Sequence, residues 1–141
     1  MNNKQFWKEL DTISKQEMSA MRELEFQCLL KKGYDENLGI LIAYFYDDAF
    51  PGMAKQAFIE FDDGRYMICY TSKKIAKAAR HGVSWDVVSI RDILNNLFNK
   101  DAIAGLLFNP YCENMMIVPK TLLEVLMPGK KEKPVFYQEP E

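Results

Sequence analysis

Apolar positions recur at three- or four-residue spacing in some parts of the chain and alternate or run together in others. That rhythm assigns most of the elements. Phe6, Trp7 and Leu10 predict a short first helix. Met18, Met21, Leu24 and Cys28 keep the same spacing and predict a second helix over about 15–32, with Met18 and Met21 in the core. Ser14-Lys-Gln-Glu17 reads as its capping box, the Ser14 hydroxyl accepting from the amide of residue 17 while the Glu17 carboxylate reaches back. Ile13 and Met18 stand where a hydrophobic staple belongs, and Lys31-Lys32-Gly33 reads as a basic last turn with glycine at C′.

The run 38–46, LGILIAYFY, is apolar on both alternating faces and predicts an interior strand. Asp47–Gly52 has loop chemistry. Gln56–Phe61 and Arg65–Thr71 are β-rich and joined by Asp62-Asp63-Gly64, a strong hairpin signal. Thr71-Ser72 offers an N-cap to a short helix over 72–80, closed by His81-Gly82 with Gly82 at C′. Trp85–Val88 predicts a short strand. Ser89 then caps a helix in which Ile90, Ile93, Leu94, Leu97 and Phe98 form one clear stripe. Ala104–Phe108 and Met115–Val118 read as two more strands around Asn109–Asn114. Pro119 can open a last helix with Leu122, Leu123, Leu126 and Met127 as its apolar face, ended by Pro128-Gly129.

The order of elements predicts a single α+β domain, with helices packed on a mixed, mostly antiparallel sheet of about five to six strands. Its expected parts are an N-terminal helical segment over 1–33, the α+β body over 34–128, and a charged tail over 129–141 expected to be flexible. Within that tail, only Val135-Phe136-Tyr137 offers apolar groups for docking.

Composition narrows the function classes. The 141 residues carry a net charge of −2, with no basic footprint for a nucleic acid. The start, MNNKQFWKEL, lacks the apolar core of a signal peptide, and the run 38–46 is about half of what a membrane-spanning helix needs. Cys28, Cys69 and Cys112 are scattered, without a C-x-x-C pair, which argues against a disulfide framework and a zinc site. These features lead to the expectation of a cytoplasmic protein without membrane, nucleic-acid, metal or cofactor partners.

The segment Asn109-Pro-Tyr-Cys-Glu-Asn114 is the main candidate for chemistry. As a plain turn, Pro110 ends one strand, and Asn109 and Asn114 tolerate turn conformations. As a site, Asn109, Tyr111 and Glu113 converge on a ligand, with Cys112 as a reactive thiol. Catalysis by Cys112 needs a base, and His81, the only histidine, has no sequence argument placing it nearby. His81 fits the last turn of a basic helix instead. Asp47-Asp48 and Asp62-Asp63 are explained by turns, and no phosphate-cradling glycine loop occurs. The Lys73, Lys74, Lys77 and Arg80 face reads first as a solvated face and second as a surface for an acidic partner.

From about 38 to 127 the chain resembles the N-terminal domain of the SseB family. The likeness rests on Tyr70-Thr71-Ser72 running into a Lys/Ala helix, and on Trp85–Ile90 passing into RDILNNLF. It also rests on Gly105-Leu-Leu-Phe-Asn109-Pro110, and on Tyr111-Cys-Glu-Asn114 leading to an apolar strand and a Leu-rich helix. The resemblance implies an α+β fold and an accessory or interaction module, and no counterpart is expected for the second domain of longer members. The expectation is therefore a non-enzymatic interaction module with an unknown protein partner, or a homo-oligomer. Its binding residues are Asn109, Tyr111, Glu113, Phe136 and Tyr137. Ser14, Asp63, Gly64, Thr71, Ser72, Gly82, Ser89 and Pro110 serve as turns and caps. The alternative is a small-molecule binder or small enzyme with a pocket near Asn109–Asn114. A further option makes Phe6, Trp7 and Leu10 a dimer seam.

Overall fold

The computed structural model describes residues 1–46, 54–78, 84–99 and 102–126. Two helices come first, α1 (Asn3–Ser14) and α2 (Ala20–Asp35). Next are β1 (Gly39–Tyr46), β2 (Ala54–Gln56), β3 (Phe58–Phe61), β4 (Gly64–Tyr70) and α3 (Lys73–Ala78). The chain continues through β5 (Ser84–Ser89), α4 (Ile90–Phe98), β6 (Ile103–Phe108), β7 (Met116–Pro119) and α5 (Lys120–Leu126). This is the α+β domain that the pattern of apolar positions predicts.

The sheet is mixed because one pair, β4 with β6, is parallel, while the other pairs are antiparallel. β1 is interior: β5 lies along one edge from Gly39 to Tyr44, and the other edge is shared by β4 and β2. The segment expected as a single strand, Gln56–Phe61, divides at Ala57 into β2, which pairs β1, and β3, which pairs β4. Ala57 bridges the two, its amide donating to Ala43 and its carbonyl accepting from Ile68. The segment thus fills the gap where β1 and β4 splay apart. β3 and β4 form the expected hairpin through Asp62-Asp63. Gly64 follows at φ 134°, a conformation closed to residues with a Cβ. The Asp63 carboxylate accepts from the Tyr66 phenol at 2.6 Å, and burial with this bond raises that phenol to about 12.

Successive strand residues face opposite ways, so the two sheet faces are covered separately. Ile40, Ile42, Met67, Cys69, Leu106, Phe108, Met116 and Val118 form the larger core. They pack against Phe6 and Leu10 of α1, Phe26, Leu29 and Leu30 of α2, the α4 stripe, and Leu123 of α5. The Phe26 and Phe108 rings meet edge-on at 4.9 Å. On the opposite face Leu41, Ala43, Ala57 and Tyr70 pack under Ala76 of α3. The segment 1–33 therefore shares the main core. The dimer seam considered for α1 is ruled out because Phe6 and Leu10 are wholly buried in the protein's own interior.

Helix α2 departs most from expectation. It runs over 20–35, not 15–32, and Ser14 is not its cap: Ser14 is the last residue of α1. Ser19 takes the N-cap role, its hydroxyl accepting from the Arg22 amide at 3.0 Å. The buried face holds Arg22, Phe26, Leu29, Leu30 and Gly33, whereas Met18 and Met21 are exposed. Gly33 is not a C′ glycine either. It lies inside the helix, where a Cβ would stand 2.4 Å from Phe6 Cζ, so its role is to let α1 approach. The C′ position belongs to Asn37, at φ 54°. The Asn37 amide donates to the Tyr34 carbonyl and the Leu38 amide to Gly33, which completes a Schellman motif.

Smaller differences follow the same logic. Ser89 holds the N-cap position of α4, but its hydroxyl donates to Asn37 Oδ1 at 2.7 Å and bonds no amide of the first turn. Ser72 caps α3, accepting from the Ile75 amide, while Thr71 is engaged elsewhere. Pro119 ends β7, paired with Gly105, and α5 begins after it. Leu123 is buried and Leu122 exposed. The expected features at Asp47–Gly52, Arg80, His81, Gly82, Met127–Gly129, Phe136 and Tyr137 lie outside the described residues.

Candidate functional site

The parallel pairing of β4 with β6 sets Cys69 beside Phe108, so both strands leave the sheet at the same edge. Thr71 and Asn109 follow side by side there, and α1 crosses that edge with Asp11 and Ser14 facing them. This convergence makes the β6–β7 loop the place where the molecule gathers polar groups.

The bonds can be assigned one by one. The Asn109 amide donates to the Cys69 carbonyl at 3.0 Å. Asn109 Oδ1 accepts from the Thr71 amide at 3.0 Å, and Asn109 Nδ2 donates to Thr71 Oγ1 at 3.0 Å and to the Asn114 carbonyl at 3.2 Å. Thr71 has one hydroxyl proton. Asp11 Oδ1 lies 2.6 Å from it and Asn109 Oδ1 3.3 Å, so the proton goes to the Asp11 carboxylate. Asn114 Nδ2 donates to Ser14 Oγ at 3.0 Å, and the Ser14 hydroxyl donates to the Asp11 carbonyl at 2.7 Å. Lys15 balances the Asp11 charge at 2.9 Å from the water side.

Thr71 and Asn109 have no exposed surface, and Ser14 has almost none. Buried polar groups of this kind are stabilising only when each is satisfied, and the Asn109 amide group uses both oxygen and nitrogen. The network locks the β6–β7 loop to the end of α1. Asp11 escaped sequence reasoning, and Ser14 and Asn114 were read only as a cap and a turn residue, because the bond between them spans 100 positions. The adjacency of Asn109 and Thr71 to strand ends was visible; their mutual contact was not.

What the network holds is an uncommon backbone. Asn109 has φ 58° and Tyr111 φ 63°. Asparagine visits this left-handed region readily, whereas a tyrosine there costs about 1 kcal/mol. Pro110 ends the ladder as expected, and the Cys112 amide closes a turn onto the Asn109 carbonyl at 3.3 Å. The Tyr111 side chain is 86% exposed, with Glu113 exposed beside it and Cys112 half-buried.

The sequence-predicted binding residues therefore separate. Asn109 is corrected from a surface contact to a buried tie, because its side chain reaches no solvent. Tyr111 and Glu113 project outward and do not converge with it. Phe136 and Tyr137 cannot be placed among the described residues.

Burial pushes the Cys69 thiol far up, which keeps it protonated. The Tyr70 phenol is raised by burial first, with Cys69 and Cys112 adding to it. Among the described residues no three His, Cys, Asp or Glu side chains come together to hold a metal, and no helix is long and apolar enough to cross a membrane. An open depression at the β3–β4 turn is lined by Glu60 to Asp63 and involves none of the loop residues. On the basic face Lys73, Lys74 and Lys77 are all exposed, and Lys73 Nζ lies 5.8 Å over the Trp7 ring and 5.7 Å over Trp85.

No protein-family model, curated protein or solved structure matches this chain.

Proposed function

We propose that this protein is a non-catalytic, cytoplasmic interaction module of the SseB type that presents Tyr111 to a protein partner. One observation supports the reading: an aromatic side chain stands almost fully in water on a left-handed residue, and a buried network fixes the loop that carries it. A turn needed only for folding would place glycine or asparagine at φ 63°, which costs less. A loop backbone already fixed has less freedom left to lose on binding, and aromatic anchors dominate protein interfaces. Glu113 adds a charge at the rim, where it would steer association.

The test compares the wild type with Tyr111→Gly in affinity capture from cell extract, followed by mass spectrometry. Glycine relieves the backbone strain, so the variant is expected to keep or raise its Tm while losing the captured protein. Capture of the same protein by both, or of none by the wild type, would remove the reading.

A further inference from the structure

The sheet has two outer edges, and they are finished differently. β5 forms one and β7 the other. Beyond β5 the Ile90 amide donates to the Leu38 carbonyl at 2.9 Å, so by alternation Val88 and Asp86 bond β1 and Val87 turns its amide outward. The Asp86 carboxylate takes that amide at 2.7 Å, and its charge blunts the edge. β7, with the sequence MIVP, carries no charged side chain.

Which groups of β7 face outward follows from its neighbour. The Asn109 amide donates to Cys69 of β4, so Leu107 and Asn109 face β4 while Leu106 and Phe108 face β7. Their partners there are Val118 and Met116. Ile117 stands between these two and turns both its N–H and its C=O away from the sheet. The Met115 carbonyl points the same way, because it shares a planar peptide unit with the inward Met116 amide. The Met115 amide is already spent on the Cys112 carbonyl at 3.2 Å, and Pro119 has no N–H. Among the described residues nothing beyond the ladder bonds Ile117. The edge therefore presents one donor and two acceptors in extended register. Met115 and Ile117 are each 37% exposed beside these groups. With Tyr111 and Leu122, four of the nine exposed large apolar side chains among the described residues lie between 111 and 122.

Such a row of main-chain groups is matched by an extended chain. A second copy matches it poorly. Two copies laid antiparallel with Ile117 on the axis exchange two bonds, but each Met115 carbonyl then faces the other copy's Pro119, which has no proton to give. Two carbonyls would be covered without partners, which costs more than leaving them in water. A foreign segment with ordinary residues at those places supplies both amides. We infer that the partner adds an extended segment to the outer edge of β7, pairing with Ile117 and Met115 through the N–H groups of two alternate residues, neither of them proline. The inference rests on the reading of this protein as an interaction module and adds the form its partner takes.

The test uses the full chain to select from a displayed library of random linear peptides, and the best binder is synthesised for fluorescence anisotropy. N-methylation along that peptide is expected to alternate, weakening binding by about tenfold or more at two alternate amides and little between them. Ile117→Pro removes the outward amide where an edge strand tolerates proline, and is expected to lose binding with Tm little changed. If that variant does not fold, the N-methyl series decides alone. Binding lost in Ile117→Pro but kept in Tyr111→Gly would sustain the edge and remove the tyrosine anchor; the converse would overturn the edge. No selected binder, or a methylation series without alternation, would also overturn it. So would an Ile117 amide already slow in hydrogen exchange in the free protein, because a second copy or another part of the chain would then hold the edge.

Discussion

Helices α2 and α4 both carry apolar residues at three- and four-residue spacing, yet only α4 buries the stripe that the spacing marks. In α4 Ile90, Ile93, Leu94 and Leu97 all lie in the core. Arg91 and Asp92 are exposed on the other side, so the helix has one way to sit. In α2 the stripe Met21, Leu24, Cys28 competes with Phe26, Leu29 and Leu30, and the second set wins the interior. Larger groups remove more apolar surface from water, and Phe26 also meets Phe108 edge-on. Gly33 strengthens the choice, since only on that side does the helix admit the Phe6 ring. Spacing fixes a helix's period, but a helix with two apolar faces needs its neighbours to fix its rotation.

This contrast can be broken most sharply by truncating each buried face. Phe26→Ala in α2 is expected to cost about 3–5 kcal/mol and Leu97→Ala in α4 about 2–5 kcal/mol. Leu24→Ala is expected to stay within about 0.5 kcal/mol. Urea unfolding of the three variants measures this, and a large loss for Leu24→Ala would reverse the assignment of faces.

A medium effect is expected at Gly33. Gly33→Ala drives a methyl into the buried Phe6 ring and should cost about 1–3 kcal/mol, although alanine is the better helix former. If Gly33 were only a C′ residue, Phe6→Leu would do nothing to relieve that cost; with the close approach described above, Gly33→Ala combined with Phe6→Leu should lose less than the two changes added together.

The smallest effect compares the two caps. Ser19 accepts from a first-turn amide and Ser89 does not. Ser19→Ala is expected to lower stability by about 1 kcal/mol. Ser89→Ala, which gives up only an exposed bond to Asn37, should lose about half of that. Equal losses in thermal melts would mean that the hydroxyl of Ser89 supports α4 in some other way.

Several elements were legible because the physics that sets them is local. The β3–β4 hairpin follows from Asp62-Asp63-Gly64, β1 from an unbroken apolar run, and α4 from its single stripe. The Ser14 capping box failed although its residues match, because the same serine also ends α1 and the first helix claimed it. The division at Ala57 was not legible: it depends on how far β1 and β4 diverge, and no short window contains that angle. In the candidate site, the turn at Pro110 and the unusual residues around it were visible. That Asn109 turns inward and Tyr111 outward was not.

By itself the sequence determined the class of fold, the order of elements, and which short segments turn. Each of these follows from residues within a few positions of one another, through side-chain period, caps and backbone freedom. Only the tertiary structure decided which apolar side of α2 is buried and that Gly33 serves packing. It also decided that Asp11, Ser14, Thr71, Asn109 and Asn114 form one bonded group. The reason is that burial and hydrogen bonding between distant segments depend on which strands become neighbours. The parallel pairing of β4 with β6 brings Thr71 and Asn109 together, and no pattern within either segment encodes that meeting.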